Sequence, residues 1–181
     1  MAKVKIATEW LAGCAGCHMS LLDIDERLVG LLEHVEFTSS PITDLKHPPA
    51  DGVTVGILEG AISNTHNVEV ARKMRERCQI LIAIGDCATF GGIVAMRNLC
   101  GTDQALERAY LQTETTDEGG VIPDSTELGR PLQEVTGLDK VVKVDLFIPG
   151  CPPSADALHF AIAELLAGRM PVFPPELFRY D

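Results

Sequence analysis

Basic residues are scarce in this chain. Fifteen Lys and Arg stand against 26 Asp and Glu in 181 residues, a formal charge of −11. A nucleic-acid binder displaces counterions from phosphate with a basic footprint, so that class is excluded. Aromatic residues make up only 5%, too few for a platform that stacks single-stranded bases. No apolar run reaches the roughly 18 residues that a membrane span needs, so none is expected. Internal repeats and low-complexity tracts are also missing. Disorder is excluded in turn, because 46% of the residues are apolar, ample for a packed core. The length predicts one domain over residues 1–181.

Six cysteines remain to be explained. A small secreted domain stapled by disulfides is loop-rich and poor in core, and this chain is neither. Leu11-Ala12-Gly13-Cys14 has the look of a lipoprotein cleavage box. The stretch before it is too short for a signal peptide and carries Glu9, which argues against export. The expected location is the cytoplasm, with thiols free or bound to metal.

Strand-like and helix-like segments alternate along the sequence. Val4–Thr8, Val35–Thr38, Val53–Leu58, Gln79–Ile84 and Lys143–Ile148 read as strands; Gln79–Ile84 is almost wholly apolar, as suits a strand buried on both faces. Apolar residues at helical spacing predict a helix over Met19–Leu32. Asn64 is set to cap a charged helix reaching about Arg77, and Ser154 to cap a helix over Ala155–Ala167 that Gly168 and Pro171 end. Strands separated by helices predict an α/β fold: a doubly wound, mostly parallel five-stranded sheet in the flavodoxin-like order 2-1-3-4-5. Gly101–Lys140 shows no clear strand signal and holds nine acidic and three basic residues. It is expected to be a long acidic insertion at about 101–140, functional or merely solvated.

On this scheme four cysteines follow strand ends. Cys14 and Cys17 come after the first strand, Cys87 after the fourth and Cys151 after the fifth. In a parallel sheet the strand carboxyl ends share one edge, the edge at which open α/β folds bind ligands. The four thiols are therefore expected to converge. Each of their loops carries glycine, which lets backbone N–H groups approach sulfur, and Pro149, Pro152 and Pro153 stiffen the last loop. Four thiolates fit a 4Fe–4S cluster; a structural zinc or a Cys-x-x-Cys redox pair are the alternatives. One close pair joined to two distant singles favours the cluster. A flavin in the loop after the first strand is disfavoured, because no hydroxyl precedes Ser20 there.

Other candidates are weaker. Glu59 closes the third strand on the same edge, where it either relays protons, caps the next helix or faces a partner subunit. His18 lies beside the expected cluster and is read as a surface residue, with a supporting hydrogen bond as the alternative. Cys78 and Cys100 read as buried structural thiols. Met19, Met74, Met96 and Met170 read as core or interface packing. Phe90–Ala95 and Met170–Tyr180 are candidate docking surfaces or internal packing.

Trp10-Leu11-x-Gly13-Cys14-x-Gly16-Cys17, Glu59-Gly60, Gly85-Asp86-Cys87-Ala88-x-x-Gly91-Gly92 and Pro149-Gly150-Cys151-Pro152-Pro153 together resemble the small subunit of nickel–iron hydrogenases. The likeness is strongest to the short small subunit of cytoplasmic, NAD-linked bidirectional hydrogenases, and it runs over nearly the whole chain. The resemblance implies that Cys14, Cys17, Cys87 and Cys151 hold one proximal 4Fe–4S cluster. It implies a nickel–iron centre on a separate large subunit, with FMN and further iron–sulfur clusters on diaphorase subunits that reduce NAD. Many relatives carry glutamate directly before the first cluster cysteine, whereas this chain has Gly13, which turns attention to Glu59 for proton transfer. Periplasmic and membrane-bound relatives add a twin-arginine leader and a further cluster domain, which are not expected here. The nearest alternative is the cluster subunit of respiratory complex I, which usually has two adjacent cysteines in place of the Cys14-x-x-Cys17 spacing. A zinc-stabilised binding module is the alternative of another class.

Overall fold

A computed structural model describes residues 3–117 and 119–177. Its centre is a parallel sheet of five strands, β1 (Val4–Trp10), β2 (Val35–Ser39), β3 (Val53–Glu59), β5 (Cys78–Ile84) and β7 (Leu146–Ile148), ordered β2-β1-β3-β5-β7. Two short strands outside it, β4 (Ile62–Asn64) and β6 (Pro131–Thr136), pair antiparallel. Counting only the central sheet, the order is the 2-1-3-4-5 that the sequence predicts.

Side chains alternate across the sheet, which gives it two cores. Ile6, Val55, Ile57, Ile82, Ile84 and Ile148 face one way. They pack on residues of α1 (Gly16–Leu22), α2 (Glu26–Leu32) and α6 (Ala155–Leu166). Ala7, Leu58, Leu81 and Ala83 face the other way, toward Ala71 and Met74 of α3 (Thr65–Arg77) and Ala88 of α4 (Gly85–Phe90). The predicted caps are in place: Asn64 accepts from the Asn67 N–H and Ser154 from the Ala157 N–H.

Three expectations need correction. The helix over Met19–Leu32 is broken into α1 and α2. There α1 closes through the Asp23 N–H on the Met19 carbonyl, and Asp25 turns the chain at φ 57°. Residues 101–140 are not strandless, since they contain α5 (Thr102–Tyr110), β6 and a short 3₁₀ turn at Leu138–Lys140. Strand β6 left no alternating signal because its inward residues, Leu132 and Val135, lie three apart. Long-range bonds hold it instead: Arg97 donates to the Ser63 and Leu132 carbonyls, and Asn98 exchanges two bonds with Val135. Cys87 lies in α4, which starts directly at the end of β5, rather than in a loop.

Candidate cluster site at the carboxyl edge of the sheet

The strand register sets the site. Trp10 lies opposite Glu59, Glu59 opposite Ile84, and Ile84 opposite Ile148, so one transverse row closes β1, β3, β5 and β7. The cysteine segments leave from this row. Cys14, Cys17, Cys87 and Cys151 line one cavity of about 70 Å³, together with Glu59 and Ile93. The space is several times what one water needs.

Local geometry brings the thiols in at different depths. Ala15 adopts the left-handed conformation at φ 65°, which turns the chain tightly between Cys14 and Cys17. Cys17 then enters α1 and is buried, whereas Cys14 and Cys151 are exposed and Cys87 is half-buried. Gly85 makes room for Cys17: at φ +83°, a Cβ there would collide with the Cys17 sulfur. The Gly16 N–H points at the Cys14 sulfur at 3.4 Å, and the backbone of Val94 and Ile93 donates to Cys87.

These surroundings act on the thiols. Burial, then the neighbouring Glu59 and the other three cysteines, push the Cys17 thiol far above its usual range. Burial also pushes Cys87 up, against the lowering by its two backbone donors. Thiols raised in this way keep their protons until a metal displaces them.

Glu59 is 2% exposed. Its Oε1 accepts from the Cys17 N–H at 3.3 Å and its Oε2 from the His18 N–H at 2.9 Å. It therefore caps α1, and not the helix that follows it in sequence. His18 is wholly buried, which overturns its surface reading, and its Nδ1 lies 2.5 Å from Glu59 Oε2. No local pattern could have shown this, because the partner stands 41 residues away; a signal lay only in the strand scheme, which ends β1 and β3 on one edge. Cys78 is buried as expected, but Cys100 is exposed. Met74 is core, whereas Met19, Met96 and Met170 are exposed. Phe90 and Ile93 are exposed too, which removes internal packing as their role. In the other proposed docking segment, residues 178–180 lie outside the described residues.

Four cysteine sulfurs around one space are a donor set that an iron–sulfur group can take.

Fold and site together define an α/β domain that presents four thiols around a cavity at the carboxyl edge of its sheet. Residues 14–165 match the family described as NADH ubiquinone oxidoreductase, 20 Kd subunit. The chain is 41% identical to the NAD-reducing hydrogenase HoxS subunit delta of Cupriavidus necator, over 99% of this chain and 86% of that protein. It is also 41% identical to one component of the F420-non-reducing hydrogenase of Methanothermobacter thermautotrophicus, over 92% of this chain but only 54% of that protein. Among solved structures, it superposes on a chain from the crystal structure of an NAD+-reducing [NiFe]-hydrogenase in the H2-reduced state. That match has a TM-score of 0.95 and 40% identity, covering 99% of this chain and 100% of the other. The chain belongs to the 20 Kd-subunit family and, within it, to the small subunits of NAD-reducing nickel–iron hydrogenases.

Proposed function

We propose that Cys14, Cys17, Cys87 and Cys151 hold one 4Fe–4S cluster. On this reading the chain carries electrons between the nickel–iron site of the large subunit and the flavin-bearing, NAD-reducing diaphorase subunits. The observation that carries it is the single cavity lined by four cysteines from three strand ends. When bound, such a cluster supplies storage and relay of single electrons. This chain's residues supply the rest. Cys14 and Cys87 receive backbone N–H groups that stabilise charge on sulfur. Pro149 and the Pro152-Pro153 pair stiffen the loop presenting Cys151, whose bond to Pro152 is cis. The Glu59 carboxylate accepts two N–H groups and faces an imidazole nitrogen, which favours its role in holding α1 over proton relay.

The large subunit is placed on the apolar ridge of Phe90, Ile93, Met96 and Leu99, which are 58 to 85% exposed. Ile93 belongs both to this ridge and to the cysteine cavity, so a partner seated there also shields the cavity from water. Among the described residues no helix is long and apolar enough to cross a membrane. We place the complex in the cytoplasm, where thiols stay reduced.

The test is the metal content of the complex isolated anaerobically with this chain. Nickel together with iron is expected. Iron without nickel would instead favour the complex I type of subunit, and zinc alone would make the cysteines structural. Cys87→Ser is expected to leave the fold intact and abolish hydrogen-dependent NAD reduction; retained reduction would sink the assignment.

A further inference from the structure

His18 is wholly buried next to Cys17. Burying an imidazole is costly unless its nitrogens are paired. Only one has a partner here: Nδ1 faces Glu59 Oε2 at 2.5 Å, while Nε2 has no hydrogen-bond partner. Trp10 packs edge-on against the ring, with centroids 5.6 Å apart and planes at 72°, which fixes its orientation. Glu59 Oε2 also takes the His18 N–H at 2.9 Å, so the ring and the backbone of His18 meet the same oxygen. The other carboxylate oxygen takes the Cys17 N–H. Backbone and side chain of one residue thus grip a carboxylate whose far oxygen holds the backbone of a cavity cysteine.

We propose that His18 is a positioning residue for electron transfer: its ring pins the Glu59 carboxyl group against the Cys17 amide and so fixes the depth of that sulfur in the cavity. The inference rests on the 4Fe–4S reading of the four cysteines. It predicts that losing the ring's polar contact moves the midpoint potential of the bound cluster, and that a side chain returning a polar group at Nδ1 restores it in part.

The experiment uses the whole anaerobic complex and follows the reduced-cluster electron paramagnetic resonance signal that Cys87→Ser eliminates. His18→Leu, His18→Asn and Glu59→Gln are compared with the wild type for iron content and midpoint potential. His18→Leu and Glu59→Gln are each expected to move the midpoint away from the wild-type value. His18→Asn, which returns a polar amide near the position of Nδ1, is expected to restore the wild-type value in part. An unmoved His18→Leu midpoint, or equal shifts in both His18 variants, would overturn the inference. Should His18→Leu lose its iron, recovery in His18→Asn supports the proposal and a second loss overturns it. A wild-type complex without the signal would bring down the cluster reading and this inference together. A wild-type signal with unmoved variants would bring down this inference alone.

Discussion

Asp86 and Gly150 are joined by two reciprocal hydrogen bonds. The Asp86 N–H donates to the Gly150 carbonyl at 2.9 Å, and the Gly150 N–H donates to Asp86 Oδ1 at 2.8 Å. Each residue stands directly before a cavity cysteine, Cys87 or Cys151, so the two bonds set the separation of two thiols that are 64 residues apart. A third bond, from Ser20 Oγ to the Pro153 carbonyl, ties the same loop to α1. Convergence of the cysteines thus depends on bonds between strand ends as well as on the sheet itself.

Removing one partner of this clip tests its contribution. Gly150 is buried, so Asp86→Ala leaves its N–H without an acceptor, at about 1–3 kcal/mol. Asp86→Asn keeps a carbonyl oxygen at the acceptor position. Thermal melting is expected to fall clearly in Asp86→Ala and only slightly in Asp86→Asn, with iron content following the same order. Equal melting in the two variants would show that the side-chain bond carries nothing.

The convergence was legible in the sequence because it needed only the strand ends and their common direction. Val53–Glu59 and Cys78–Ile84 are apolar runs too strong to misplace, and glycine within two residues of each of the four cysteines marked the strand ends. The supports of the site were not legible. Glu59 and His18 meet through a strand register, and Asp86 meets Gly150 through a loop, so neither contact leaves a periodic trace. The break at Asp25 and the pairing of β4 with β6 were hidden for the same reason. They are settled by distant packing, which overrides the local helical and alternating patterns.

The opposite edge of the sheet offers a pH-dependent prediction. Burial pushes the Asp145 carboxyl up, but the Leu81 N–H and the Arg75 guanidinium outweigh it and hold the group below its usual range. Arg75 also donates to the Cys78 and Gln79 carbonyls, so the pair ties the start of β5 to the segment leading into β7. A carboxyl lowered by folding contributes stability above its unfolded pKa of about 3.9 and loses that contribution as pH falls through the lower folded value. Asp145→Asn is therefore expected to be less stable than wild type at pH 7. The gap should narrow once the pH drops below about 4. Urea midpoints across that range measure it, and a gap that stays constant would refute the linkage.

The apolar ridge yields the remaining prediction. Phe90, Ile93, Met96 and Leu99 recur every third residue through the end of α4 and the 3₁₀ segment Gly92–Leu99. Residues three apart eclipse one another in a 3₁₀-helix, so Ile93, Met96 and Leu99 fall on one line. Arg97, between them, anchors the segment to β4 and β6 through the Ser63 and Leu132 carbonyls, which leaves the apolar line turned outward. A patch of this kind beside a cavity is characteristic of a subunit interface, and a charge at its centre should weaken docking far more than it weakens the fold. Met96→Glu and Leu99→Asp are expected to lower the yield of large subunit co-purified with this chain at least tenfold, equivalent to about 1.4 kcal/mol or more. Their melting should stay near the wild-type value, because the replaced side chains contribute little to the core. Val121→Asp, equally exposed but outside the ridge, serves as the control and should leave the yield unchanged. Full recovery of large subunit with both ridge variants would place the interface elsewhere on the chain.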